Sequence, residues 1–310
     1  MTRWLQHPRG AVVAVLFAAL LWGSAFPSIK RGYALLEIDP ARGLSDALAF
    51  AGVRFLLAGL FLLVGASVFK LGVVVREPRT LVRLAALGLV QTTLQYTTFY
   101  SGMLYTTGVK ASVIVASGSF FLAALSPIFF RDDRLTRRRV VGLVVGFFGV
   151  VVANLARSDA ADLEVQWLGD GLILATGLCS AVASLLSKRL VRDLHPAVVN
   201  GYQATFGALV LLLVSIPTTG LGVARIDVEV VLLTLYLATV TATAFTLYYL
   251  VVKYHDLSRV AAYRFLIPLS GVTLSALLIP GEELRPSLVG AAALVGVGIW
   301  VVNRAQRPPA

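Results

Sequence analysis

The sequence predicts an all-α integral membrane protein, and three observations carry that prediction. Hydrophobic residues make up 58 % of the chain and charged ones only 14 %, with a mean hydropathy of +0.84, outside the range of soluble domains. The apolar stretches recur at close to the ~20 residues that an α-helix needs to cross a bilayer. They lack two-residue alternation and run too long for strands, which excludes a membrane barrel. Ten such stretches fall at 11–35, 48–69, 81–103, 110–130, 138–156, 168–187, 197–217, 228–252, 258–279 and 287–303.

The first stretch is interrupted by LLWGSAFPSIKRG. Trp22 lies about 16 Å into it at ~1.5 Å per residue, near the bilayer centre, whereas Trp4, Trp167 and Trp300 fall at span edges where interfacial tryptophans belong. Gly23, Ser24 and Ala25 permit close helix approach, and Pro27 frees a carbonyl one turn back. The segment reads as a hinge and cavity wall at Gly23 and Pro27, with plain packing around a proline kink as the bland alternative for Trp22. Lys30 is expected to snorkel outward.

The second span, VRFLLAGLFLLV, contains Arg54, which has no polar neighbours on its own helix. The third is the most polar. Gln91, Gln95 and Thr98 share one face, with Tyr96 and Tyr100 on an adjoining one. In the fourth, Ser112, Ser117 and Ser119 offer smaller polar groups. In the sixth, Cys179 is the single cysteine of the chain, so internal disulfides are excluded. The eighth carries Thr239, Thr243 and Thr246, then Tyr248 and Tyr249. Amides and hydroxyls are poorly placed against lipid, so these faces are expected to turn inward, either as a cavity wall or as interhelical hydrogen bonds. The ninth span places Arg264 roughly 9 Å deep, ahead of a break at Pro268. An arginine there either clamps a carboxylate bidentately or snorkels back to the surface. No Asp or Glu lies at mid-depth, so no carboxylate relay for protons is visible.

Charge orients the chain. With the N-terminus in the cytoplasm, 18 of the 27 Lys and Arg fall on inner segments and 7 on outer ones. Both termini are then cytoplasmic, in the plasma (inner) membrane. The +11 net charge is a topology signal and not a nucleic-acid footprint. Arg3 and Arg9 ahead of an apolar run resemble a secretory signal, but nine more spans follow.

The chain also repeats itself. SIKRG near the end of span 1 falls on LSKRL near the end of span 6, and VRFLLAGLFLLV on YQATFGALVLLLV, placing Arg54 opposite Gln203. QYTTFYSG falls on AFTLYYLV, with Tyr100 on Tyr249, and Ser119–Asp133 on Pro268–Glu282. Four matches in order predict two halves, 1–157 and 158–310, joined at the acidic stretch Ser158–Glu164. Five spans per half insert the second copy upside down, so ten helices form two inverted five-helix repeats around a central cavity, as in secondary transporters.

WGSAFPSIK resembles the first-helix signature of the drug/metabolite transporter superfamily, EamA type. So does Pro268 followed by Gly281-Glu282-Glu283-Leu284 and a glycine-spaced last helix. The matching SFFLAALSPIFFRDDRL departs from the usual pattern in having Ser119 for a proline and Asp133 for a glutamate. The resemblance covers the whole chain and implies a ten-helix basket with peripheral fifth and tenth helices that exports small metabolites.

The resulting expectation is an exporter of neutral or aromatic amino acids working by alternating access. Trp22, Gln91, Gln95, Tyr96, Tyr100, Ser119, Thr243, Tyr249 and Arg264 are the candidate substrate contacts, and Gly23, Pro27 and Pro268 the hinges. A broader drug or nucleotide-precursor exporter, or a passive channel, are the alternatives. An enzyme is not expected: His7, His195 and His255 fall in cytoplasmic segments, and no H-E-x-x-H or G-x-S-x-G occurs. Nor is any cofactor or metal. The expected partners are a small-molecule substrate and the bilayer, with no nucleic acid and with a homodimer left open.

Overall fold

A computed structural model describes residues 2–39, 44–106, 108–155, 165–218, 227–278 and 286–304. The acidic seam at 158–164, the GEEL motif at 281–284 and the 157/158 boundary lie outside the described residues, as does the side chain of Lys30.

Helices follow the apolar stretches closely. A short α1 (Thr2–Gln6) leads into α2 (Pro8–Leu36), then α3 (Leu44–Val68). The third stretch is one rod of three parts: α4 (Pro78–Gly88), a π-helical turn Leu89–Leu94, and α5 (Gln95–Met103). The fourth is broken into α6 (Gly108–Ala116) and α7 (Gly118–Phe129), and α8 (Arg137–Leu155) follows. The second half comprises α9 (Trp167–Asp193), α10 (Pro196–Ser215) and α11 (Val228–Tyr254). A second broken pair, α12 (Leu257–Tyr263) and α13 (Leu266–Leu278), precedes α14 (Ser287–Asn303). Among the described residues there is no strand.

Local chemistry explains the starts. Pro8, Pro78 and Pro196 each open a helix at its first position, where the missing N–H has no partner to lose. Asp227 caps α11 by accepting from the Val230 N–H at 2.8 Å.

Among the described residues, six helical spans are long and apolar enough to cross a membrane, Lys110–Phe129 counting α6 and α7 together. Their outward faces are as oily as their inward ones: Leu213 is 76 % exposed and Val64 63 %. Helices apolar all round belong in lipid.

Packing pairs the halves reciprocally. Helix α3 lies along α10, its own sequence counterpart, and α8 along α14, likewise its counterpart. The contact of α2 with α13 is matched by that of α9 with α7. In the same way α2 with α11 is matched by α9 with α5, and α10 with α4 by α11 with α3. Small residues allow these approaches. A Cβ on Gly59 would stand 2.9 Å from the Gly201 carbonyl oxygen, and one on Gly298 2.6 Å from that of Gly142.

Candidate functional site

The breaks come first, because they decide where polar groups can sit in an apolar rod. The α6–α7 break falls at Ser117, whose hydroxyl donates back to the Ile114 carbonyl at 2.6 Å. The α12–α13 break falls at Arg264 and Phe265, four residues ahead of the expected position. Pro268 occupies the first turn of α13, where helix N–H groups lack partners anyway, so the proline does not itself cause the break. Under the sequence matching the two breaks occupy nearly equivalent places in the two halves. Pro27, by contrast, leaves α2 continuous. The hydroxyls of Ser24 and Ser28 bond the Leu21 and Ser24 carbonyls on either side of it. Gly23 has a definite packing reason: a Cβ there would lie 2.8 Å from the Ser270 carbonyl carbon of α13.

Around the second break, α9 supplies a polar stripe that the sequence reading missed. Thr176, Ser180 and Ser184 recur every fourth residue along the middle of the helix, between Asp170 and the polar end from Ser187 on, which was the available signal. Each reaches a different neighbour. Thr176 pairs with Thr98 of α5 at 2.9 Å, Ser180 accepts from Nη2 of Arg264 at 2.5 Å, and Ser184 pairs with the Tyr248 hydroxyl at 3.0 Å. Nη1 of Arg264 is buried without a partner, as are the hydroxyls of Tyr249 and Ser119. Trp22 packs edge-on to Phe245 and Tyr248, ring centroids 5.0 and 5.8 Å apart. It is half-buried, whereas Trp4, Trp167 and Trp300 are exposed.

The first half holds a second cluster. Arg54 stands ten residues into α3, about 15 Å deep, and is only 3 % exposed. Its guanidinium lies 4.9 Å from the centroid of Phe55 and 5.6 Å from that of Tyr96. Nη2 donates to the Tyr100 hydroxyl at 3.4 Å, and Tyr33 adjoins Tyr100 at 6.5 Å between rings. Arg54 Nε and the Tyr33 hydroxyl have no partner. The sequence reading gave Arg54 little weight because α3 offers it nothing polar; its neighbours come from α2 and α5 instead.

Other expected contacts are spent within the bundle. The π turn brings Thr92 and Thr93 against α10, where they donate to the Gln203 side chain at 2.9 Å and the Gly207 carbonyl at 3.0 Å. Gln91 donates to Gln95 at 2.8 Å. Gln203 donates to Asn200, which reaches the Ala242 carbonyl and Thr246. Thr243 is half-buried. Thr239 is exposed and bonds the Leu235 carbonyl, so this residue, unlike Thr246, does not turn inward as expected: a threonine that satisfies itself on its own helix can meet lipid.

Where α7 runs into α8, charges are packed and fully paired. Arg139 contacts Asp133 at 2.8 Å, Asp256 at 2.7 Å and the Arg134 carbonyl at 2.6 Å. It also donates to Ser258, and the Ser126 and Ser258 hydroxyls both donate to Asp133. Burial by itself would raise the Asp133 pKa, but these donors and the Arg139 charge hold it below the ordinary carboxylate range. Beside it, Lys188 donates to the His255 carbonyl at 2.5 Å, and the His255 ring donates to the Leu5 carbonyl at 2.7 Å. On the other side of the bundle, Arg31 pairs with Glu229 at 2.7 Å, both exposed, and Lys110 with Asp170 at 2.6 Å.

An apolar helical bundle with most of its mid-span polar groups turned inward fits a multi-pass membrane transporter. The EamA-like transporter family matches residues 9–155 and again 167–304. The chain belongs to that family, within the drug/metabolite transporter superfamily, and with it to transporters and not to enzymes. It is 26 % identical to a "Probable amino-acid metabolite efflux pump" of Salmonella typhimurium, over 92 % of each chain. It is 25 % identical to a "Probable terminal-alkyne amino-acid exporter" of Streptantibioticus cattleyicolor, over 95 % of this chain and 93 % of the other. An "Uncharacterized transporter" of Archaeoglobus fulgidus is 25 % identical over 94 % and 98 %. A solved crystal structure shares the fold, with a TM-score of 0.77 at 17 % identity, over 95 % of this chain and 96 % of that one.

Proposed function

We propose that the protein exports small metabolites, namely neutral or aromatic amino acids, from the cytoplasm across the plasma (inner) membrane. Both termini lie inside, and two inverted five-helix halves alternate access to a central site. The observation that carries this reading is Arg264 at the α12–α13 break. One of its terminal nitrogens is held by Ser180 and the other is buried and free, so one donor is ready for a substrate carboxylate. The Trp22, Phe245 and Tyr248 rings nearby offer faces and edges for an apolar side chain. The reciprocal helix pairing and the two broken helices support exchange between two related halves. The printed names of two relatives support amino-acid cargo. Pro27 and the Gly23 contact with α13 are the points about which α2 bends.

The test is counterflow in proteoliposomes with labelled amino acids, wild type beside Arg264→Gln. Uptake accelerated by substrate on the opposite side, and lost in the variant, is expected. Accelerated uptake that survives the change removes Arg264 from the site, and no counterflow for any amino acid overturns the cargo.

A further inference from the structure

Among the described residues, Arg54 is a cation without a counter-charge. A guanidinium stays protonated at any physiological pH and carries five donors. Here one of them is used, in a 3.4 Å bond to Tyr100. No Asp or Glu contacts the group among the described residues. The faces of Phe55 and Tyr96 compensate it only in part.

The surrounding hydroxyls add donors and no anion. Tyr100 accepts from Arg54, so its own proton is free to point elsewhere, and the adjacent Tyr33 hydroxyl is unpartnered. Donors brought together from α2, α3 and α5, with aromatic rings beside them, are what a small carboxylate attached to an apolar body requires. The same protein shows what it does with an arginine that has only a structural task, because Arg139 is given two carboxylates, a hydroxyl and a carbonyl.

We infer that Arg54, with the Tyr33 and Tyr100 hydroxyls, forms an anion-binding subsite for the carboxylate of a transported molecule, in the opposite half from Arg264. The inference deepens the export reading and rests on it for the word transported. The binding itself is separable from transport. Each arginine has one hydroxyl partner, but Arg264 sits at a helix break and Arg54 within an unbroken helix, so its donors stay fixed while the breaks move.

The test uses the full-length protein in detergent and three probes of one shape: phenylacetate, phenylacetamide and phenethylamine. Thermal-shift titration gives the affinity of each. Phenylacetate is expected to raise the melting temperature of the wild type, and the neutral amide and the amine are not. Arg54→Gln should weaken phenylacetate at least tenfold. Arg54→Lys, which keeps the charge and loses the fork, and Tyr100→Phe, which keeps the ring, should each weaken it several-fold, so the test stands even where the glutamine variant does not fold. Wild-type affinity in Arg54→Gln, an equal shift from the amide, or no shift from phenylacetate overturns the subsite. Counterflow of amino acids separates the two readings. Transport without an Arg54-dependent phenylacetate shift removes the subsite alone, and the shift without any counterflow removes the export reading alone.

Discussion

Arg54 and Arg139 are both withdrawn from solvent, 3 % and 8 % exposed, yet their surroundings are opposite in kind. Arg139 is enclosed by Asp133, Asp256, Ser258 and the Arg134 carbonyl, so its charge and its donors are answered within the protein. Arg54 faces rings and one distant hydroxyl. A desolvated ion costs several kcal/mol unless paired, so the two sites differ in what they leave for something else to do. The first joins α7 and α8 to α12 and is complete as it stands. The second is incomplete, and the completing group is a ligand's.

The largest test of this contrast is removal of the structural cation. Arg139→Leu leaves Asp133 buried without its paired guanidinium, with only the Lys188 charge near it, and should cost about 3–5 kcal/mol of stability, read as a lowered unfolding temperature in detergent. A loss below about 1 kcal/mol would show that the Asp133 cluster is not holding α7, α8 and α12 together.

The pH dependence of the same end comes next. Burial, helped by the Arg259 and Lys188 charges, lowers the His255 pKa below its ordinary ~6.5, against the opposing pull of the Leu5 carbonyl and Asp256. The unfolded chain therefore takes up a proton first as pH falls, so the folded state loses stability from about pH 6.5 down to the folded pKa. His195 is lowered too, by burial and by Lys253. Asp133 is lowered as well, from its ~3.9 reference, because its charged form is the favoured one, so its contribution is intact throughout this window and is lost only in stronger acid. Between pH 7 and pH 5.5 the wild type should lose about 1 kcal/mol, and His255→Gln should remove part of that slope. An unchanged slope would assign the whole of it elsewhere.

Arg54→Met should behave unlike Arg139→Leu. Replacing an unpaired buried cation by an apolar chain of similar length is expected to leave stability unchanged or raise it by about 1 kcal/mol, while carboxylate binding is lost. A destabilisation comparable to that of Arg139→Leu would make Arg54 structural and erase the contrast.

The smallest expected effect belongs to the polar stripe of α9. A double-mutant cycle with Thr98→Val and Thr176→Val should give a coupling of about 0.6 kcal/mol, as interhelical hydrogen bonds in membranes do. A coupling of zero would remove the 2.9 Å contact from the account of how α5 meets α9.

The apolar runs by themselves determined that the protein is all-helical and roughly where along the chain its helices lie, because a segment immersed in lipid must satisfy its own backbone and therefore declares itself over its whole length. The two-fold self-similarity, and Trp22 as a tryptophan out of place, were equally local. Residues such as Arg264 and Ser119 stood out because a polar group in an apolar run is conspicuous wherever it ends up. What no run could reveal was which polar groups would find partners. Gln91 spends its amide on Gln95, and Thr92 spends its hydroxyl on Gln203 of α10. Arg54, bare on its own helix, gains Tyr100 from α5 but no carboxylate. Asp133 stands in the sequence only as a departure from the family's glutamate, yet it is 2 % exposed within an ion cluster drawn from three segments. Apart from local pairs such as Gln91 with Gln95, partnership depends on side chains dozens of residues or more apart meeting within about 3 Å, and only the packing of helix on helix fixes that distance.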